Sequence, residues 1–257
     1  MHEIPRRRPP DNDELPMDKP FLSVIIPAYR EAAVLRGSIE STRRFLGGKG
    51  FAYEVIVVDD GSPDNTAAIA EEVAKDVETV SVFRLPKNRG KGAAVRLGMQ
   101  KAKGRYALFM DADFSTPIEE VDALLQQAER GVDVVMGSRY LPESTIVKKQ
   151  PWIRRFMSRA GNLLFHLLLG MKFADTRCGF KLYSEKARAI LFSRQTLERW
   201  GFDTELLAIA RVHHLRVIEV PVHWTDHAGR PKFLQDSLRS LREIQHVRKH
   251  LRRGDYQ

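Results

Sequence analysis

The sequence has only one cysteine, Cys178, among its 257 residues, so no internal disulfide bond can form. Disulfides are rare in reducing compartments, and this absence favours a cytoplasmic protein. No window approaches the roughly 18 consecutive apolar residues that a membrane-spanning helix requires. The eight histidines lack partners at the spacing of zinc ligands. We therefore expect neither a disulfide scaffold, nor a helical membrane span, nor a zinc site.

Residues 1–20 lack the apolar stretch of a signal peptide. They combine three consecutive arginines with five acidic residues and several prolines. We expect these residues to be a disordered tail, followed by one globular domain over residues 21–230.

Basic residues are in excess, with a formal net charge of +9 and a pI near 9.7. The charge indicates an anionic partner: nucleic acid, an anionic membrane surface or a phosphate-bearing substrate. Residues 148–172 carry six Lys or Arg and no acidic residue, which is typical of a helix lying on a membrane. Residues 231–257 predict a basic amphipathic helix that docks either on the protein core or on lipid.

From Phe21 onward, apolar segments alternate with amphipathic helical patterns. This alternation predicts an α/β fold with a mostly parallel sheet flanked by helices. The predicted strands are Leu22–Pro27, Glu54–Asp59, Val80–Leu85, Tyr106–Met110, Val132–Gly137 and a later one near Val217–His223. The predicted helices are about Glu31–Phe45, Asn65–Lys75, Gly92–Lys101, Ile118–Arg130, Thr204–Val212 and Phe233–Leu251.

Asp111 and Asp113 come directly after the apolar strand that ends at Met110. In such sheets ligands bind beyond the carboxyl ends of the strands. Mg²⁺ and Mn²⁺ take one or two carboxylates together with waters and substrate phosphates. The pair therefore predicts a divalent cation held against a diphosphate. Taken alone, Asp-x-Asp is more often a pair of surface or capping carboxylates.

Two basic side chains follow strands at the same edge. Lys91 lies in the segment Asn88–Gly92, whose glycines would let a backbone approach a phosphate. Arg139 follows the fifth strand and would clamp a phosphate. The alternatives are a glycine-permitted turn before a helix and an ordinary surface arginine.

Polar residues also follow the first two strands. Tyr29 is expected to pack against a nucleobase, and Glu31 and Asp60 to accept hydrogen bonds from base or ribose. Ordinary turn and helix-cap chemistry is the alternative for this segment.

The chain resembles family 2 glycosyltransferases in five segments that keep the order and spacing of the family: Ser23–Glu31, Val57–Ser62, Asn88–Gly92, Asp111–Asp113 and Gly137–Arg139. The resemblance covers nearly everything from Phe21 to Arg253. It implies a GT-A (Rossmann-like) fold and inverting transfer from a nucleotide sugar with Mg²⁺ or Mn²⁺.

Site residues follow from this resemblance and from the motifs above. The expected nucleotide-binding residues are Pro27, Ala28, Tyr29, Glu31, Val58, Asp60, Lys91, Asp111, Ala112 and Lys232. The expected metal ligands are Asp111, Asp113 and Ser115. Two positions depart from the mannosyl relatives, which often have Gln where Ser115 stands and Arg where Asp226 stands.

The segments Asp175–Tyr183 and Glu198–Leu207 resemble dolichyl-phosphate glucosyltransferases more specifically. This implies UDP-glucose as donor and a polyprenyl or dolichyl monophosphate as acceptor. Arg177 and Lys181 would then grip the acceptor phosphate. Arg139 would stabilise the departing nucleotide, and Asp203 is the candidate general base, with a helix cap as its alternative.

Eukaryotic glucosyl relatives carry a membrane-spanning N-terminus that this sequence does not show. We therefore expect a peripheral protein on the cytoplasmic face of the membrane, bound through residues 148–172 or the last helix. Alternatives are transfer of mannose from GDP-mannose, transfer to a soluble saccharide, and a nucleic-acid-binding α/β protein. No nucleic-acid recognition motif is present, so we expect no nucleic-acid partner.

Overall fold

Strands β1 (Leu22–Ala28) and β4 (Tyr106–Met110) are buried along their whole length. Their uninterrupted apolar runs reflect burial on both faces of the sheet, as expected for parallel strands covered by helices. The computed structural model describes residues 19–146, 172–225 and 233–257.

The remaining elements of the described residues follow in chain order. The other strands are β2 (Tyr53–Asp59), β3 (Val80–Arg84), β5 (Val134–Ser138), β6 (Thr145–Ile146), β7 (Phe180–Ser184), β8 (Val217–Pro221) and β9 (His223–Trp224). The helices are α1 (Leu35–Gly47), α2 (Thr66–Ala74), α3 (Lys91–Lys101), α4 (Val121–Glu129), α5 (Glu185–Arg194), α6 (Phe202–Val212) and α7 (Phe233–Arg253). A 3-10 turn, Ile118–Glu120, precedes α4.

Seven strands form one sheet in the order β3-β2-β1-β4-β7-β5-β8. The pairs that β7 makes with β4 and β5 are antiparallel, and the other pairs of this sheet are parallel. Strands β6 and β9 form a separate parallel pair. The predicted α/β class, mostly parallel sheet and flanking helices are confirmed.

Strand β7 and helix α5 are the main additions to the predicted elements. In β7 the fully buried Lys181 interrupts the apolar pattern of Phe180, Leu182 and Tyr183. A charged residue within a short strand that is buried on both faces hides the apolar run by which such strands are recognised. The predicted strand near Val217–His223 is two strands, β8 and β9.

The sheet separates two apolar cores. Ile25 and Phe109 face one core, together with α3, α5, α6 and the buried Val247 of α7. Val24 and Leu108 face the other core, together with α1, α2 and α4. Successive residues of one strand point to opposite faces, so each central strand contributes to both cores.

The C-terminal helix α7 begins at the predicted Phe233 and extends to Arg253. Val247 is fully buried and Leu251 packs against the same core, so this part of the helix docks on protein. Within the described ranges, no helix combines the length and apolar character needed to cross a bilayer. Apart from Lys19, Pro20 and Lys172, the predicted tail (1–20) and membrane-interface segment (148–172) lie outside the described residues.

Candidate active site at the carboxyl edge of the sheet

The strand order changes direction between β1 and β4. From β1 the chain builds outward through β2 to β3, whereas β4 lies on the opposite side of β1. The loops that follow β1 and β4 therefore diverge, and a crevice at such a point is where open α/β sheets bind ligands. Tyr29 and Glu31 in the loop after β1, and Asp111 and Asp113 in the loop after β4, border this crevice.

Asp111 and Asp113 occupy the loop that follows β4. Ala112 between them is buried, so the two aspartates point away from the core. The Ser115 amide donates to Asp113 Oδ1 at 3.0 Å. Phe114 has a φ of 57°, a left-handed conformation that is uncommon for a bulky residue and that recurs at functional sites. The loop is therefore sharply bent just beyond the acidic pair.

Gly179 makes room for the Asp111 carboxylate. A Cβ atom at residue 179 would overlap the carboxylate atoms of Asp111. The Gly179 carbonyl also accepts a hydrogen bond from the Asp111 amide at 3.0 Å. Because β7 pairs with β4, the residue just before β7 sits directly against the acidic loop. Gly179 is thus a site residue that the individual motifs missed.

Lys91 forms an ion pair with Asp111 of the acidic pair. Its ammonium lies 2.5 Å from Asp111 Oδ1 and 5.0 Å from the centroid of the Phe109 ring. Burial, the largest effect, lowers the pKa of Lys91, but the charges of Asp111, Asp203 and Asp113 outweigh it and the net pKa is raised. Lys91 therefore stays protonated among three carboxylates.

The glycines beside Lys91 allow the backbone of another protein segment to approach. Gly90 has a φ of 117°, and a Cβ there would come within 2.7 Å of the Glu198 carbonyl oxygen. That oxygen accepts a hydrogen bond from the Ala93 amide at 2.9 Å, in the first turn of α3. Gly90 therefore allows the backbone at Glu198 to pack closely against the start of α3. The approach of a phosphate to this segment stays a prediction.

Asp60 organises the loop that leads into α3. Its carboxylate accepts hydrogen bonds from the Arg89 amide at 2.8 Å, the Gly90 amide at 2.8 Å and Asn88 Nδ2 at 2.9 Å. Burial raises the pKa of Asp60 and outweighs the backbone hydrogen bonds that lower it. The predicted contact with a base or ribose would add to these three internal bonds.

The other residues predicted to bind nucleotide surround β1 and β2. Pro27, Ala28 and Val58 are buried, so they can offer a ligand only backbone atoms. Tyr29 and Glu31 are partly exposed in the loop after β1. Lys232 lies outside the described residues.

Arg139 is held by a buried carboxylate. Its Nε and Nη2 donate to Asp175 at 2.6 and 2.9 Å, and its guanidinium lies 5.2 Å from the Trp224 ring centroid. Burial, the largest effect, raises the pKa of Asp175, but the Arg139 charge and hydrogen bonds outweigh it and the net pKa is lowered. The predicted phosphate clamp is thus oriented by Asp175, a partner that the strand-end pattern does not reveal.

Asp203 lies in the first turn of α6 and pairs with the buried Lys181. Lys181 is 2% exposed and also donates to the Thr176 carbonyl at 2.8 Å. Burial raises the pKa of Asp203, and the charges of Lys181 and Lys91 only partly offset it. An ammonium enclosed in this way does not face an acceptor phosphate. The geometry instead makes Lys181 the partner that orients Asp203, while Arg177 is exposed.

The carboxylates fit a divalent cation only when a ligand completes its coordination. Among the described residues, no group of three or more His, Cys, Asp or Glu side chains could hold a metal ion. Asp111 and Asp113 supply two carboxylates at the loop after β4, and Mg²⁺ or Mn²⁺ can take its other ligands from waters and a diphosphate. Ser115 lies next to this pair but is 6% exposed, and its carbonyl accepts from the Thr225 amide at 2.8 Å.

Cys178 lies next to Gly179 and is fully buried, which raises the pKa of its thiol to about 12. A thiol with so high a pKa is protonated at neutral pH and is not a nucleophile. This environment is that of a structural cysteine packed in the core.

A mostly parallel sheet flanked by helices, with an acidic pair and Lys91 at its carboxyl edge, is the arrangement of a GT-A-like glycosyltransferase. The chain belongs to glycosyltransferase family 2, because the family model described as glycosyl transferase family 2 matches residues 23–190.

Curated relatives agree with this assignment. The chain is 39% identical to dolichyl-phosphate beta-glucosyltransferase from Drosophila melanogaster, over 81% of this chain and 68% of that protein. It is 34% identical to the human protein of the same name, over 81% and 68%. The Saccharomyces cerevisiae protein of that name is 30% identical over 96% of this chain and 80% of its own length.

A solved structure confirms the fold. Glucosyl-3-phosphoglycerate synthase from Mycobacterium tuberculosis, in complex with Mn²⁺, UDP-glucose and phosphoglyceric acid, superposes with a TM-score of 0.67. The match covers 90% of this chain and 80% of that one at 20% identity.

Proposed function

We propose that this glycosyltransferase moves glucose from UDP-glucose to a polyprenyl monophosphate such as dolichyl phosphate, with Mg²⁺ or Mn²⁺ and with inversion at the anomeric carbon. The observation that carries the proposal is the cluster of Lys91, Asp111, Asp113 and Asp203 at the carboxyl edge of the sheet. The curated relatives, which are named for this transfer, supply the donor and acceptor classes.

The donor binds across the strand ends. Its nucleoside lies along the loops after β1 and β2, near Tyr29 and Asp60. Its diphosphate reaches Lys91 and the acidic loop, where Asp111 and Asp113 would hold the cation. A bound cation would supply positive charge against the departing diphosphate. Lys91 adds a donor at the same place, in a site where a fixed charge acts more strongly than in water.

The transfer step forms one bond and breaks another at the same carbon. A phosphate oxygen of the acceptor attacks the anomeric carbon from the face opposite the nucleotide. The bond from that carbon to the diphosphate oxygen breaks, and UDP leaves with the electron pair. Because UDP-glucose is an α-glycoside, attack from the opposite face gives a β-linked product. Positioning of the two substrates supplies much of the rate.

Asp203 takes the remaining proton when the acceptor phosphate arrives singly protonated. The second pKa of a phosphomonoester is about 6, so near neutral pH only a minor fraction needs this help. Lys181 orients the Asp203 carboxylate through their buried ion pair. Arg177, which is exposed, is the residue that we propose for the acceptor phosphate.

The lipid acceptor places the reaction at a membrane surface, which we propose is its cytoplasmic face. Residues 148–172 carry six basic and no acidic residues, and each cation near an anionic surface contributes about 1 kcal/mol. Replacing Arg154 and Arg155 by Glu is expected to reduce cosedimentation with anionic liposomes. Unchanged cosedimentation and unchanged lipid-acceptor turnover would remove this segment from the proposal.

A donor panel against a short polyprenyl phosphate tests the function directly. Radiolabelled UDP-glucose and GDP-mannose are each incubated with Mn²⁺ and the acceptor, and the lipid-linked sugar is extracted. We expect glucose transfer that is lost in Asp111→Asn and retained in Asp122→Asn, a matched change at a distant surface carboxylate that pairs with Lys49. Mannose transfer alone would contradict the proposed donor.

A soluble acceptor is the second candidate. The solved neighbour was crystallised with phosphoglyceric acid, which is a phosphate-bearing small molecule. Adding 3-phosphoglycerate in place of the polyprenyl phosphate separates the two acceptor classes. Transfer to the soluble compound and none to the lipid would replace the lipid acceptor in the proposal.

A further inference from the structure

Trp200 stands out at the rim of the site. Among the residues whose side-chain exposure the structure describes, it is the exposed large apolar residue, with 56% of its surface accessible. The Lys91 ammonium lies 5.3 Å from its ring centroid, and the same ammonium bonds to Asp111. A scattered apolar side chain on a surface needs no explanation, but one at the mouth of a charged site is a candidate for ligand contact.

The loop that carries Trp200, residues 195–201 between α5 and α6, is firmly attached to the protein. The buried Glu205 carboxylate accepts from the Thr196 amide at 3.0 Å and the Leu197 amide at 2.7 Å. The Glu198 carbonyl accepts from the Ala93 amide at 2.9 Å. The backbone is therefore fixed while the indole stays in solvent, which is how a binding surface is organised before its ligand arrives.

We propose that Trp200 is the stacking surface for the hexose ring of the donor, and that it sets affinity for the sugar rather than for the nucleotide. This inference rests on the proposed function, because that function puts the diphosphate at Lys91 and Asp111. The group attached to the far side of the diphosphate is the hexose. Trp200 is the aromatic side chain whose ring lies over that lysine from the solvent side.

The chemistry of the two rings is complementary. One face of a pyranose is lined by C–H groups, which are apolar and carry partial positive charge. The face of an indole is apolar and carries the negative part of the ring quadrupole. The base-binding loop after β1 instead bonds to the start of α2, through the Glu31 amide and Thr66 Oγ1 at 3.0 Å. Thr66 begins α2, which packs on the opposite face of the sheet from α3 and α6, whereas Asp60 bonds to the Gly90 amide at the start of α3.

Binding measurements on Trp200→Ala, Trp200→Leu and Trp200→Phe test the inference. Calorimetry with Mn²⁺ compares UDP, which lacks the hexose, with UDP-glucose. For Trp200→Ala we expect the Kd of UDP to stay within twofold and that of UDP-glucose to rise about fivefold to tenfold. Trp200→Leu keeps apolar bulk without an aromatic face and should behave like Ala, whereas Trp200→Phe should retain most of the affinity. Because the side chain is exposed, the melting temperature should not change.

Three results would overturn the inference. Equal weakening of UDP and UDP-glucose would put the indole on the nucleotide. Unchanged donor binding with a higher KM for polyprenyl phosphate would put it on the acceptor. Unchanged donor binding with weaker cosedimentation on anionic liposomes would make it a lipid contact. Failure of the proposed function is seen separately, because the wild-type protein would then bind neither UDP nor UDP-glucose in Mn²⁺.

Discussion

Replacing Lys91 by Met tests how the acidic loop is neutralised before substrate binds. The ammonium lies 2.5 Å from Asp111 Oδ1, so a cation that binds Asp111 must displace it. A hydrogen bond between charged groups contributes about 2 kcal/mol, which corresponds to about 30-fold in an equilibrium constant. The structure thus predicts that Lys91 competes with the cation when no nucleotide is present.

The expected effects on the two ligands have opposite signs. Without nucleotide, Lys91→Met should bind Mn²⁺ about 30-fold more tightly, because the internal competitor is gone. At saturating Mn²⁺, the same variant should bind UDP about tenfold more weakly, because the diphosphate loses a charged donor. Free Mn²⁺ is read by electron paramagnetic resonance, and UDP binding by calorimetry.

Lys101→Met is the matched control, because Lys101 ends the same helix and its ammonium lies 5.4 Å from the Phe83 ring centroid. This variant should change neither affinity. Weaker Mn²⁺ binding by Lys91→Met would refute the reasoning, since it would mean that Lys91 favours cation binding at Asp111 instead of competing with it.

The other predictions concern the groups that position the site. Gly179→Ala should shift the Asp111 carboxylate and weaken Mn²⁺-dependent UDP binding at least about tenfold. Gly47→Ala is the control and should leave UDP binding unchanged, because a Cβ there meets only one atom, at 3.9 Å. Equal UDP binding by the two variants would contradict the role of Gly179. Asp175→Asn removes one partner of a buried pair with Arg139, and urea unfolding should show a loss of about 3 kcal/mol. The pKa of Asp175 is lowered in the folded state, so its contribution is complete above its unfolded pKa of about 3.9 and disappears as the pH falls through the folded pKa. The stability difference between wild type and Asp175→Asn should therefore shrink below about pH 4, and a constant difference would argue against the ion pair.

The sequence predicted the sheet well where burial is uniform. β1 and β4 are buried on both faces, so an uninterrupted apolar run identifies them and places Asp111 and Asp113 just beyond a strand end. The sequence pattern does not predict β7, because its second residue, Lys181, is neutralised by Asp203 from a distant helix. That compensation is tertiary and leaves no local pattern.

The positions of the site residues were easier to predict than their partners. Arg139 follows β5 as expected, yet its orientation is set by Asp175, which comes from a different segment. The glycines beside Lys91 show from the sequence that another group can approach the backbone here, but only the structure shows that the Glu198 backbone does so. Trp200 lies in the segment Glu198–Leu207 on which the specific resemblance rests, but its exposure is known only once the loop around it is packed.

The placement of β7 has a consequence for the order of folding. It joins the block β3-β2-β1-β4 to the block β5-β8, yet it is made after β5 in the chain. A nascent chain that ends before Phe180 therefore leaves the inner edge of β4 unpaired, and unpaired edges promote aggregation. The packing of the Asp111 carboxylate against Gly179 forms only when β7 pairs with β4. Catalytic competence should thus appear late, after the first four strands have already paired.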